Sequence, residues 1–289
     1  MNSARGTALI TGASSGIGLA TAAALADDGW HVVATARNPS AANALQELVA
    51  VQPNVQIREL DVTLEESVAG CVDAVLSERG AVDLLVNNAG AGHRGTLEQL
   101  GDDEFEKCFA VNFYGVARVS RAVIPGMRAR SRGRIITVTS MNGVVAMPFS
   151  DAYNAAKFAV EGLMEGLAPV LRNFGIDVSV IEPGPVRTSF LRNAGGRITD
   201  VATDDPYAEL LTRYNGTMAG LLNSGESADG VASVIAAIAR DRSPHLRYQS
   251  SANATAIASR KVIDPTGDSI VAATSAFLLG ESPPVGTGR

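Results

Sequence analysis

The 289-residue chain is 46% hydrophobic and 19% charged, enough apolar material to bury one large core, so a single domain over 1–289 is expected. A net charge of −6 gives no electrostatic footprint for nucleic acid, and no apolar stretch is long enough to span a bilayer. Two cysteines, Cys71 and Cys108, and the scattered His31, His93 and His245 form neither a disulfide framework nor a metal-ligand spacing, so no metal is expected. The histidines read as structural or solvent-facing. Arg128, Arg130, Arg132 and Arg134 read as solvating a helix end. Met1 to Gly6 lacks the regions of a signal peptide, and a reducing, cytoplasmic setting is the expectation.

From Thr7 to Glu182, short β-branched runs alternate with helix-period stretches, the pattern of a doubly wound parallel α/β sheet flanked by helices. In chain order the pattern predicts strands near Thr7–Thr11, His31–Thr35, Val55–Leu60, Leu84–Asn87, Arg134–Thr139 and Val178–Ile181. Helices are predicted around Ile17–Asp28, Ala41–Val49, Leu64–Glu78, Asp102–Arg130 and Ala152–Asn173. Beyond Gly184 the segments turn polar, with helices at Tyr207–Leu222 and Ala228–Ala239 and a strand-like His245–Tyr248 that brings the sheet to about seven strands. The division is a core over 7–188 and an extension over 189–289, placed after the sixth strand where an insertion can cover a substrate crevice.

The first predicted strand runs into Gly12-Ala13-Ser14-Ser15-Gly16-Ile17-Gly18 and then an Ala-rich helix. Strand, glycine turn and helix in that order make a dinucleotide cradle: glycines permit a tight turn and close approach of a pyrophosphate, and the helix N-terminus offers free N–H groups. At the end of the second strand a carboxylate would accept from a ribose 2′-OH. Ala36 stands there instead and Arg37 follows, which favours NADP(H) over NAD(H) because a cation replaces the anion that would repel a 2′-phosphate. Asp61, before Val62, is placed either to hydrogen-bond an adenine amino group or to cap the next helix.

Tyr153 and Lys157 lie four apart on a predicted helix and share a face. With three lysines in the chain that pairing is rare by chance, and a nearby ammonium lowers a phenol toward useful acid/base poise. Ser140 ends the fifth predicted strand, where its hydroxyl can hold a substrate oxygen. Asn87-Asn88-Ala89-Gly90 ends the fourth strand. Asn112 sits inside a predicted helix, where an amide is mildly unfavourable; it reads equally as a tolerated surface residue. Pro183-Gly184-Pro185-Val186-Arg187-Thr188 stops the sixth strand and leads across the crevice, with Thr188 in reach of a ligand.

In order and spacing, Thr11-Gly12-x-x-x-Gly16-x-Gly18, Asn87-Asn88-Ala89-Gly90, Asn112, Ser140, Tyr153, Lys157 and Pro183-Gly184 resemble the short-chain dehydrogenase/reductase family in its compact branch. The resemblance covers Thr7 to Thr188 and implies a Rossmann-type fold and an NADP(H)-dependent oxidoreductase. It assigns Tyr153 as general acid/base, Ser140 as holder of the carbonyl, Lys157 to the nicotinamide ribose, Asn112 to a proton relay and Thr188 to the carboxamide. The cofactor set it implies is Gly12, Ser14, Ser15, Gly16, Ile17, Gly18, Arg37, Asp61, Val62, Asn88, Ala89, Gly90, Tyr153, Lys157, Pro183, Gly184, Val186 and Thr188. Val33-Ala34-Thr35-Ala36-Arg37, Pro183–Thr188, Leu246-Arg247-Tyr248 and Asp264-Pro265-Thr266-Gly267-Asp268 look most like its 17β-hydroxysteroid and retinol dehydrogenase subgroup. That likeness implies a hydrophobic steroid-, retinoid- or polyketide-like carbonyl substrate, a pocket of Met141, Val145, Met147, Phe149, Pro185, Phe190, Met218 and Leu222, and a homodimer or homotetramer. A nucleotide-sensing regulator of the same fold is the competing expectation. Such proteins commonly lose the Tyr or the Lys, whereas both are present here.

Overall fold

The computed structural model describes residues 5–190, 195–196 and 205–281, without the side chains of Leu222 and Asn223. The chain enters through β1 (Thr7–Ile10), α1 (Gly16–Asp27), β2 (His31–Ala36), α2 (Asn43–Val51), β3 (Val55–Glu59), α3 (Glu65–Arg79) and β4 (Leu84–Asn87). It continues through β5 (His93–Arg94), α4 (Asp102–Phe109), α5 (Gly115–Ala129), β6 (Gly133–Val138), α6 (Asp151–Arg172) and β7 (Ile176–Glu182). The last third holds β8 (Gly195–Gly196), α7 (Ala208–Asn223), α8 (Ala228–Arg240), β9 (Arg247–Gln249), α9 (Ala252–Ile263) and α10 (Asp268–Leu279).

Seven strands form one parallel sheet in the order β3-β2-β1-β4-β6-β7-β9. Alternate side chains leave each strand on opposite faces, so one strand feeds two cores. Ala8, Ile10, Leu84, Val86 and Ile136 join the layer under α1 and α8, while Leu9, Leu85, Ile135 and Val178 join the layer under α3, α5 and α6. Each fully buried Leu or Ile of these layers contributes about 2 kcal/mol of transfer free energy. The order reverses between β1 and β4, and at such a switch point the loops beyond the strands' C-terminal ends part to leave a crevice.

The structure revises several expectations. The helix expected over Asp102–Arg130 is interrupted by a π-helical turn at Ala110–Tyr114 that contains Asn112. The tail carries two helices, α9 and α10, that the polarity of the segment concealed. Three of the four clustered arginines are not mere solvation: Arg130 donates to the Val82 carbonyl, Arg132 pairs with Asp83 at 2.8 Å and Arg134 with Asp177 at 2.9 Å, tying the lower ends of the sheet together. Both cysteines are buried and free. Among the described residues no group of side chains could hold a metal ion, and no helix is long and apolar enough to cross a membrane.

Candidate active site

A cavity of 1030 Å³ opens along the C-terminal ends of β1, β4 and β6. Its first wall is the glycine turn. Gly12 has φ 68°, and a Cβ there would lie 2.8 Å from Ala89 Cα, so only glycine admits this approach of two backbones. Asn88 holds the turn in place: its Nδ2 donates to the carbonyls of Thr11 at 3.0 Å and Gly12 at 2.9 Å, while Thr11 Oγ1 accepts from the Asn88 and Ala89 amides. Ser15, at the N-cap of α1, makes no side-chain capping bond, leaving the first amides of the helix to a ligand. An anion fits this donor set. Arg37 is exposed on the same wall, after Ala36.

Asp61 also lines the cavity, but its Oδ1 accepts from the Thr63 amide at 2.8 Å and the Thr63 hydroxyl at 2.7 Å. It closes a turn and does not cap α3, whose N-cap is Leu64. Val62, Ala89, Gly90, Pro183, Gly184, Val186 and Thr188 complete this half with Ser14, Gly16 and Ile17. Gly18 lies behind the wall, packed on Gly12 and Asn88. Sequence reasoning missed Glu226, whose carboxylate accepts from the Gly184 amide at 3.1 Å and the Ser250 hydroxyl at 2.6 Å, and so fixes the 183–188 loop.

Ser140, Tyr153 and Lys157 converge where the two halves of the cavity meet. Ser140 Oγ accepts from the Asn142 amide at 3.1 Å and also contacts the Tyr153 phenol. Lys157 is buried; its Nζ donates to the Val138 carbonyl at 3.1 Å and stands 5.6 Å from the Tyr153 ring centroid. Part of the Tyr153 ring faces the open cleft, yet burial is the largest influence on its hydroxyl and pushes it above its ordinary value. Ser140 and Arg94 pull it down, and in this structure burial exceeds the tuning expected from Lys157. Burial likewise lowers Lys157 from 10.5 to about 8, against the opposing pull of Cys108 and Glu161.

That lysine gives a measurable signature. Below about pH 8 the folded protein holds a charge that burial disfavours by about 3 kcal/mol. Between about pH 8 and 10.5 the unfolded chain still binds this proton and the folded chain has released it, so stability rises with pH. In urea unfolding without cofactor, Lys157→Met should remove this rise. The variant's stability relative to wild type should be greatest near pH 7 and decline above pH 8, whereas a gap constant with pH counts against a lysine buried as an ammonium.

Asn112 is fully buried, which overturns the surface alternative. Its Nδ2 donates to the carbonyls of Ala91 at 2.9 Å and Cys108 at 3.0 Å, and its Oδ1 accepts from the Ala91 amide at 3.2 Å. The amide therefore clamps the loop after β4, and the π-helical turn opens the Cys108 carbonyl to it. His93 is corrected too: it lines the cavity, with Nδ1 buried and its pKa lowered chiefly by burial.

On the far side Met141, Val145, Met147, Pro185, Phe190 and Met218 line the cavity. Phe149 does not; it lies one layer back, its ring 5.4 Å from Tyr214, which takes the lining position. The Leu222 side chain lies outside the described residues. Helix α10, absent from the predicted elements, closes this wall with Ile270, Ala273 and Phe277.

A glycine-turn nucleotide cradle at the switch point of a parallel sheet, joined to a Ser-Tyr-Lys cluster, defines a dinucleotide-binding oxidoreductase fold. A family model described as short chain dehydrogenase matches residues 6–197, and the chain belongs to the short-chain dehydrogenase/reductase family. Retinol dehydrogenase 8 of Bos taurus is 37% identical over 286 residues, 94% of this chain and 90% of that protein. 17-beta-Hydroxysteroid dehydrogenase type 1 of Homo sapiens is 35% identical over 293 residues, 97% and 88% of the two chains. Among solved structures, the alcohol dehydrogenase of the archaeon Thermococcus sibiricus complexed with 5-hydroxy-NADP superposes with a TM-score of 0.69 at 27% identity, covering 84% of this chain and 95% of that one.

Proposed function

We propose that this protein is an NADP(H)-dependent oxidoreductase that interconverts an apolar ketone or aldehyde and its alcohol, with Tyr153 as the proton donor and acceptor. The observation that carries this reading is the meeting of Ser140, Tyr153 and Lys157 at the junction of a phosphate-binding turn and an apolar chamber. Free amides at α1 and the Arg37 guanidinium supply what a 2′-phosphorylated dinucleotide needs. When bound, the cofactor supplies or removes the hydride. The Ser140 hydroxyl holds the carbonyl oxygen, Tyr153 donates its proton to that oxygen as negative charge develops, and Lys157 holds the ribose and keeps positive charge beside the phenol. The phenol is protonated at neutral pH and so holds the proton that reduction needs, while burial by itself makes it a weaker acid than a free tyrosine. The apolar chamber supports a steroid-, retinoid- or polyketide-like body, and exposed Tyr114, in the π-helical turn before α5, and Phe158 on α6 support a homo-oligomer through these elements.

Loss of NADPH absorbance on adding a panel of aliphatic, aromatic and steroidal ketones tests the reading. Turnover of at least one class is expected, and failure across the panel with NADPH bound would favour a sensing role. In the same assay Arg37→Ala should weaken NADPH about tenfold and leave NADH nearly unchanged. Equal losses for both cofactors would refute the role given to Arg37.

A further inference from the structure

Four charged side chains are buried among the described residues: Arg94, Lys157, Glu161 and Glu182. Glu161 and Glu182 both meet Arg247, and Lys157 donates to the Val138 carbonyl. Arg94 has no such partner. Its Nη1 is buried without a hydrogen bond, and none of the ion pairs among the described residues includes it. A guanidinium cannot shed its proton, and a buried charge without a counter-charge is costly. Its Cζ lies 5.4 Å from the centroid of the Tyr214 ring, and a cation–π contact offsets only part of that cost.

Arg94 lines the same cavity as Tyr153, on the substrate side, and is close enough for its charge to act on the Tyr153 phenol. Around it lie the hydroxyls of Tyr214 and Ser150, and among the described residues no carboxylate stands within ion-pairing distance. The Tyr214 hydroxyl is buried near Arg94 and Ser150 without a well-aligned hydrogen bond to either, and both tyrosine and serine line the cavity. Buried N–H and O–H groups that face a cavity and lack an acceptor are complementary to a group that only accepts. An ionised carboxylate is such a group, and its planar pair of oxygens matches the guanidinium fork.

We propose that Arg94, with Tyr214 beside it, docks a carboxylate of the substrate, so that the compound reduced at Tyr153 is an apolar oxo acid and not a neutral ketone. The inference rests on the reductase reading for its reaction but not for its binding site, and two measurements separate them. In calorimetry on the NADPH-loaded protein, octanoate should bind about tenfold or more tightly than methyl octanoate. Arg94→Met should erase that preference while still binding NADPH. In turnover, 4-oxooctanoate should exceed its methyl ester about tenfold in kcat/KM with the wild type and lose that advantage in the variant.

Equal binding of acid and ester by the wild type would overturn the carboxylate site, whether or not the variant folds. Preferential binding of octanoate with faster turnover of the oxo ester would overturn the substrate assignment, because the carboxylate would then occupy the pocket only as a competitor. Arg94-dependent binding of octanoate with no carbonyl reduced would uphold the docking site and refute the reductase reading instead.

Discussion

Tyr153→Phe should lower kcat/KM for carbonyl reduction about a thousandfold, equivalent to about 4 kcal/mol of transition-state stabilisation, and leave NADPH affinity within about a factor of three. The substitution deletes one oxygen and keeps the ring. The ring's tilted contact with Phe190, at 5.9 Å, remains, as does the 5.6 Å approach of Lys157. Nothing else in the cleft can readily replace the lost proton donor. The Ser140 hydroxyl, which accepts from the Asn142 amide, is a far weaker acid than a phenol, His93 is held toward its neutral form by burial, and Lys157 donates to Val138. Steady-state rates together with a fluorescence titration of NADPH decide the matter: near-normal turnover would remove Tyr153 from the chemistry, whereas a parallel loss of NADPH binding would mean that the cleft had collapsed.

Gly18→Ala should cost about 3 kcal/mol of stability and weaken NADPH about a hundredfold. The added methyl would fall 2.4 Å from both the Gly12 carbonyl oxygen and Asn88 Nδ2. Neither can retreat freely, because Asn88 Nδ2 already donates to Thr11 and Gly12 and thereby holds the turn against β4. For a chain of this size the loss corresponds to a fall in Tm of roughly 5 °C. Gly162→Ala on α6 is the matched comparison, since no neighbouring atom lies within 4 Å of its Cβ position, and there alanine should be neutral or stabilising. Thermal melts of both variants read the stability, and NADPH titration reads the turn. Unchanged NADPH affinity in Gly18→Ala would show that the turn is not a phosphate cradle.

The parts of this site that the sequence discloses are those whose chemistry is local. A glycine turn between strand and helix, an i, i+4 tyrosine–lysine pair and an arginine after β2 each declare themselves within a few residues, and the structure brings them to one crevice. Arg94 and Tyr214 could not be found in that way. They lie 120 positions apart and meet only because β5 and helix α7 fold over the same chamber. The interrupted helix at Asn112 was hidden because a π-helical turn keeps the apolar rhythm of the helices on either side. α9 and α10 bury little, only Ala254, Ala258 and Ala276, so they carry almost no amphipathic signal. Ser251, which caps α9 by accepting from the Ala254 amide, and Gly280 after α10 were the punctuation that marked them.

The wall formed by α7 and α10 has its own small apolar cluster, in which Phe149, Leu211 and Tyr214 pack with Phe277 apart from the two layers that clothe the sheet. Such a partition separates two kinds of inheritance within one chain. The nucleotide half is built into strand ends, where any change disturbs the sheet, so it can drift only slowly. The chamber wall can be recut residue by residue at little cost to folding, so a change in the compound it admits would leave the nucleotide half untouched.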